Sequence, residues 1–143
     1  AGAAPLYGLA QKLVEAGCHH SVVLGFNTAR EVFLTGPFEQ LDVPTAVTTV
    51  DGSFGKQGFV TDALPGDATY LYACGPMPML NAVARVCADN NVPCKVSMEQ
   101  RMGCGVGACV VCSCLTVRNG QEHYARVCKD GPVFDAKEVK FNG

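Results

Sequence analysis

Apolar residues return at helical spacing through residues 6–16, at Leu6, Leu9, Ala10, Leu13 and Val14, and Gly17 follows as a stop. Residues 21–26 are a short β-rich run, and residues 29–41 read as a second helical stretch broken around Gly36-Pro37. Residues 45–50 are β-branched and end at Asp51-Gly52. Residues 69–73 form another strand pattern, closed by Cys74-Gly75-Pro76. Helical spacing resumes over 77–90 at Met77, Leu80, Val83, Ala84 and Val86, and residues 94–98 read as a further strand. Helices alternating with continuous apolar strands predict an α/β fold with a mostly parallel, doubly wound sheet covered on both faces. A first strand is expected in front of the first helix, before Ala1, so the chain reads as a fragment.

Beyond residue 100 the pattern changes. Residues 101–112 are a Gly- and Cys-rich loop without periodicity. Residues 110–118 and 121–127 flank Asn119-Gly120, a strong hairpin signal because a type I′ turn needs positive φ at both central residues. The expected organisation is a partial nucleotide-binding domain over 1–100 and a small β-hairpin module over 101–143.

Composition narrows the chemistry. At 143 residues, 48% hydrophobic and 17% charged, the chain can bury its own core. Its net charge of −2 offers no basic stripe, so nucleic acid is not an expected partner. No apolar run reaches the length of a membrane span, and no membrane association is expected. The start lacks the basic n-region of a signal peptide and is interrupted by Gln11, Lys12 and Glu15, so a cytoplasmic setting is expected. There the nine cysteines point to metal ligation rather than disulfides.

Five of the nine fall between Cys104 and Cys128, in MGCGVGACVVCSC and then Cys128. The order Cys104-x4-Cys109-x2-Cys112, with a distant fourth, is the plant-type ferredoxin spacing for a 2Fe-2S cluster. Four thiolates complete two tetrahedral irons that share two sulfides. Gly103, Gly105 and Gly107 let the backbone wrap and turn N–H groups toward sulfur, which raises the reduction potential. A structural zinc site is the alternative, although zinc sites favour two short cysteine pairs. Cys114 would share a face with Cys112 on a strand, and its expected role is packing.

On the nucleotide side, Gly2, Ala4 and Pro5 lie at the start of the first helix, where free N–H groups could bind a pyrophosphate. An ordinary helix start explains them as well. The segments holding Asn27, and Cys74, Gly75 and Met77, each follow a strand and open a helix, as ligand-binding loops of α/β sheets do. Asp51 at a strand end could accept from a ribose 2′-hydroxyl and repel a 2′-phosphate, favouring NAD over NADP; a plain turn residue is the other reading. His19, His20 and His123 are expected to be structural or surface residues, and Cys18, Cys87 and Cys94 small buried hydrophobes.

The segments SMEQRMGCGVGACVVCSC and YARVCKDGPVFDAKEV, with AGAAPL, DGSFGKQGFVTD and YACGPMPML, resemble the electron-transfer subunit of NAD-dependent dihydroorotate dehydrogenase, in the ferredoxin-reductase family. The resemblance implies that Gly2, Ala4 and Pro5 sit at the pyrophosphate, Asn27 and Asp51 near the ribose, and Cys74, Gly75 and Met77 near the nicotinamide. It implies Cys104, Cys109, Cys112 and Cys128 as the 2Fe-2S ligands. It implies a hetero-oligomer with an FMN-containing catalytic subunit, in pyrimidine biosynthesis. Electrons would pass from dihydroorotate through that flavin, the cluster and FAD to NAD. The family's flavin-binding barrel is missing, so FAD is expected only in a longer protein, and this chain alone is expected to be inactive. Other expectations are a different ferredoxin-reductase-family subunit, of sulfhydrogenase or ferredoxin:NADP type, and a non-enzymatic zinc-binding interaction module.

Overall fold

The structure, a computed structural model, describes residues 2–141. They fold into two compact units, one ending at Ala68 and one beginning at Thr69.

The first unit opens with α1 (Ala3–Glu15), continues through β1 (Val22–Phe26) and α2 (Thr35–Gln40), and closes with β2 (Thr45–Thr49) and β3 (Lys56–Gln57). Helix α1 ends as expected: Gly17 takes φ 69°, Cys18 N–H donates to Leu13 O, and Gly17 N–H donates to Val14 O. The break in the second helical stretch comes earlier than Gly36-Pro37. Residues 29–31 form only a 3-10 turn, and Leu34 at φ 64° starts a new helix. Pro37 then falls in the first turn of α2, where a missing N–H costs nothing. Strands β1, β2 and β3 are parallel, with Val22 opposite Thr45 and Phe26 opposite Thr49. Ala10, Val22, Leu24 and Phe38 form the core, with the Tyr7 ring edge-on to Phe38.

The second unit begins with β4 (Leu71–Cys74), α3 (Met77–Asp89) and β5 (Cys94–Ser97), a β-α-β unit with β4 and β5 parallel. Leu80, Val83 and Cys87 are the buried residues of α3. The hairpin β6 (Ser113–Arg118) and β7 (Gln121–Arg126) follows, and Asn119 and Gly120 take φ 52° and 77° as the type I′ turn requires. A single helical turn, α4 (Val127–Asp130), leads to β8 (Val133–Asp135), which lies antiparallel to β5. The hairpin segment thus leaves from β5 and returns beside it. The chain end ties back to the hairpin through Lys140 N–H to Leu115 O and Val117 N–H to Glu138 O.

The α/β class holds. The strands, however, are hydrogen-bonded into three sheets, β1-β2-β3, β4-β5-β8 and β6-β7, and not into one. Among the described residues no strand lies beside the outer edge of β1 or of β4, and the sheets stop there. The compact units divide near residue 68, whereas the sequence pattern changes near residue 100, because β8 from beyond the cysteine loop completes the sheet of β4 and β5.

Candidate iron–sulfur site

The loop between β5 and β6 wraps around its own sulfurs. Gly105 and Gly107 take φ 70° and 82°, and Val110 takes φ 53°, unusual for a β-branched residue. The resulting turns point backbone N–H groups inward. Ala108 and Cys109 N–H donate to Cys104 Sγ at 3.2 and 3.4 Å, and Cys104 N–H donates to Cys109 Sγ at 3.3 Å. The strand expected from residue 110 therefore begins only at Ser113, since Val110 and Cys112 belong to the loop.

Cys112 precedes β6 and is buried, and Cys128 sits on α4. Cys128 N–H donates to Cys112 Sγ at 3.5 Å, and Val127 N–H to Cys112 O at 3.1 Å. The spacing of Cys128, sixteen residues after Cys112, is bridged by the hairpin, whose length carries the chain out and back. The sulfurs stand as two pairs, Cys104 with Cys109 and Cys112 with Cys128.

Charge follows the same pattern. The Cys109 backbone N–H, joined by those of Val106 and Ala108 and by the Cys109 side chain, lowers the Cys104 thiol to about 6. The Cys128 N–H, then its side chain, lowers the Cys112 thiol. Cys128, facing the Cys112 sulfur, is raised. Burial raises Cys114, which lies within the hairpin opposite Ala125 and is a packing residue.

These groups fit a binuclear cluster. Two sulfur pairs match two irons with two cysteines each, and N–H donors facing sulfur suit thiolates that carry cluster charge. Among the described residues, no three or more Cys, His, Asp or Glu side chains gather into a single-ion site.

The other expected residues lie as follows. Gly2 is the buried N-cap of α1, with Ala4 and Pro5 exposed in its first turn, and no side chain caps that end. Asn27 and Asp51 come together at the ends of β1 and β2, Asp51 N–H donating to Asn27 O at 3.2 Å. Both are already engaged. Asn27 donates through its backbone and side-chain nitrogens to Glu31, each at 3.0 Å. Asp51 Oδ1 accepts from the Ser53 hydroxyl and N–H, which hold its carboxyl below the usual range. Ser53 Oγ accepts in turn from Ala29 N–H. In the second unit Cys74 and Gly75 are buried at the end of β4, and Met77 starts α3 half-buried. Burial raises the Cys74 thiol, whose Sγ stands 4.0 Å from the carboxylate of exposed Glu99. Cys87 and Cys94 are buried as expected, but Cys18 is exposed, because the helix stop at Gly17 leaves it on a surface turn. Sequence reasoning missed Glu31, Ser53, Glu99 and the pair Arg126–Asp130. Only the last left a signal, an Arg and Asp four apart that bracket Cys128.

A glycine-rich turn and a helical turn aim amide protons at paired cysteine sulfurs, an arrangement that suits an iron–sulfur site within an α/β fold. Residues 99–140 match the family model described as the iron-sulfur cluster binding domain of dihydroorotate dehydrogenase B. Over 96% of its length the chain is 46% identical to the dihydroorotate dehydrogenase B (NAD(+)) electron transfer subunit of Shouchella clausii (strain KSM-K16). It is 48% identical to the subunit of the same name from Geobacillus sp. (strain WCH70), also over 96% of its length. It spans 53% of each of these relatives, about half their length. A solved chain of an NADH-dependent reduced ferredoxin-NADP oxidoreductase, from work on flavin-based electron bifurcation, matches with a TM-score of 0.80 and 33% identity, over 98% of this chain and 51% of that one. No helix among the described residues is long and apolar enough to cross a membrane.

Proposed function

We propose that this chain is the nucleotide-binding and iron–sulfur part of an electron-transfer subunit that links a dihydroorotate dehydrogenase catalytic subunit to NAD. The observation that carries the reading is the two-pair arrangement of Cys104, Cys109, Cys112 and Cys128 within a segment of the matching family. These four hold a 2Fe-2S cluster, which supplies one-electron redox chemistry when bound. NAD exchanges a hydride, so a flavin must stand between the two, and FAD belongs to the part of the longer protein outside this chain. On its own the chain is then inactive.

Gly2, Ala4 and Pro5 offer the N-terminus of α1 to a pyrophosphate. Asn27 and Asp51 approach a ribose, while Cys74, Gly75 and Met77 border a nicotinamide.

The exposed rim of the cysteine loop is apolar. Val106 is 72% and Val110 61% exposed, with Met102 and Val111 beside them. Several exposed apolar side chains on one loop suit a protein partner, and the FMN-containing catalytic subunit is the partner proposed, in a hetero-oligomer. A second reading, a ferredoxin-NADP-type subunit, is favoured by the solved structure the fold matches. The test uses the full-length subunit in its complex. Cys104→Ser should abolish electron transfer from dihydroorotate to NAD and leave NADH oxidation by small dyes. Loss of both activities, or of neither, would sink the reading, and copurification with a ferredoxin-dependent partner alone would favour the second.

A further inference from the structure

The two sulfur pairs lie on different pieces of chain. Cys104 and Cys109 belong to the glycine-rich loop, while α4 brings Cys128 to Cys112. One side chain spans the two pieces. Arg126, at the end of β7 and two residues before Cys128, donates through Nη1 to the carbonyl of Gly107 at 3.1 Å. Gly107 lies in the x4 segment between Cys104 and Cys109. The same guanidinium donates through Nε to Asp130 Oδ2 at 3.1 Å, and the Arg126 N–H donates to that oxygen at 2.8 Å. Asp130 is the last residue of α4.

An ordinary capping pair would need only Arg126 and Asp130. The bond to Gly107 O adds nothing to α4 and ties the loop to it. The Arg126 and Asp130 side chains are 33% and 35% exposed, so the pair sits at the surface and its value here is geometric. The planar fork of arginine is what allows one residue to hold a carbonyl and a carboxylate together. The hairpin's other arginine, Arg118, pairs with Glu138 instead, and no hydrogen bond joins it to the cysteine loop or to α4.

We infer that Arg126 is a positioning residue for the cluster, clamping the loop of one sulfur pair to the helix of the other and setting a fixed positive charge beside them. This rests on the iron–sulfur reading above. A cation there favours the more negative, reduced state and raises the reduction potential. The structural and electrostatic parts separate by substitution: lysine keeps the charge but loses the fork.

The experiment compares the full-length subunit in its complex with Arg126→Gln, Arg126→Lys and Arg118→Gln. It measures the anaerobic rate of iron loss to a chelator and the potential from a redox titration followed by electron paramagnetic resonance. Arg126→Gln should lose iron about 10- to 100-fold faster, the range for partners that orient metal ligands, and show a lower potential. Arg126→Lys should lose iron faster yet keep a potential near that of the unaltered protein, and it carries the test if the glutamine variant does not fold. Arg118→Gln should match the unaltered protein. Unchanged iron loss in both Arg126 variants would overturn the clamp. Unaltered protein devoid of iron and sulfide would instead overturn the iron–sulfur reading itself.

Discussion

Gly107→Ala is expected to loosen the site far more than Gly105→Ala, although both residues have positive φ, 82° and 70°. Placing an L side chain in that region costs about 1–2 kcal/mol at either position. The surroundings differ. A Cβ on Gly105 meets nothing within 4 Å. A Cβ on Gly107 would stand 2.8 Å from Lys129 Cδ and 3.1 Å from Lys129 Cβ. The Cδ can swing away, but the Cβ is fixed to α4, so α4 and Cys128 must shift. Overpacking of this kind adds about 1–3 kcal/mol. The two variants should therefore differ by about 5- to 150-fold in how firmly they hold the cluster, at roughly 1.4 kcal/mol per tenfold. Iron and sulfide per chain, the visible spectrum and the rate of iron loss to a chelator would show it. Equal losses in the two variants would refute the claim that α4 packs on Gly107.

Two further expectations follow from charge. In metal-free protein, iodoacetamide should label Cys104 quickly at pH 7 and leave Cys94 untouched, because amide donors lower the first to about 6 and burial pushes the second up to about 12. The sign is fixed by the thiolate: Cys104 labelling should fall as pH drops through 6, leaving about a tenth of the thiolate at pH 5. Peptide mapping that finds Cys94 labelled first would contradict the site geometry. Asp51→Asn keeps an oxygen for the Ser53 bonds but removes the charge, so the preference for NADH over NADPH should fall about tenfold in the full-length protein, with little change in melting temperature. An unchanged preference would make Asp51 a turn residue only.

The hairpin turn and the helix stop at Gly17 were legible because each depends on a local backbone rule that its own residues carry. The cysteine order could be read from the sequence as the plant-type spacing, and residues 99–140 match an iron–sulfur family model. Strand partners were not legible. Lys56–Gln57 and Val133–Asp135 are too short to show a period, and they became strands only because β2 and β5 offered open edges. The nucleotide-side residues were readable as positions, but not the Glu31 and Ser53 side chains that engage Asn27 and Asp51.

The sequence by itself determined which residue types could meet iron, since thiolate chemistry and glycine dihedrals are properties of single residues and near neighbours. Only the tertiary structure decided how those residues group: Cys104 with Cys109, Cys112 with Cys128, and Arg126 between the two pieces of chain. The physical reason is distance along the chain. Cys112 and Cys128 meet because a hairpin folds back and β8 returns to β5, a long-range pairing that no local preference encodes.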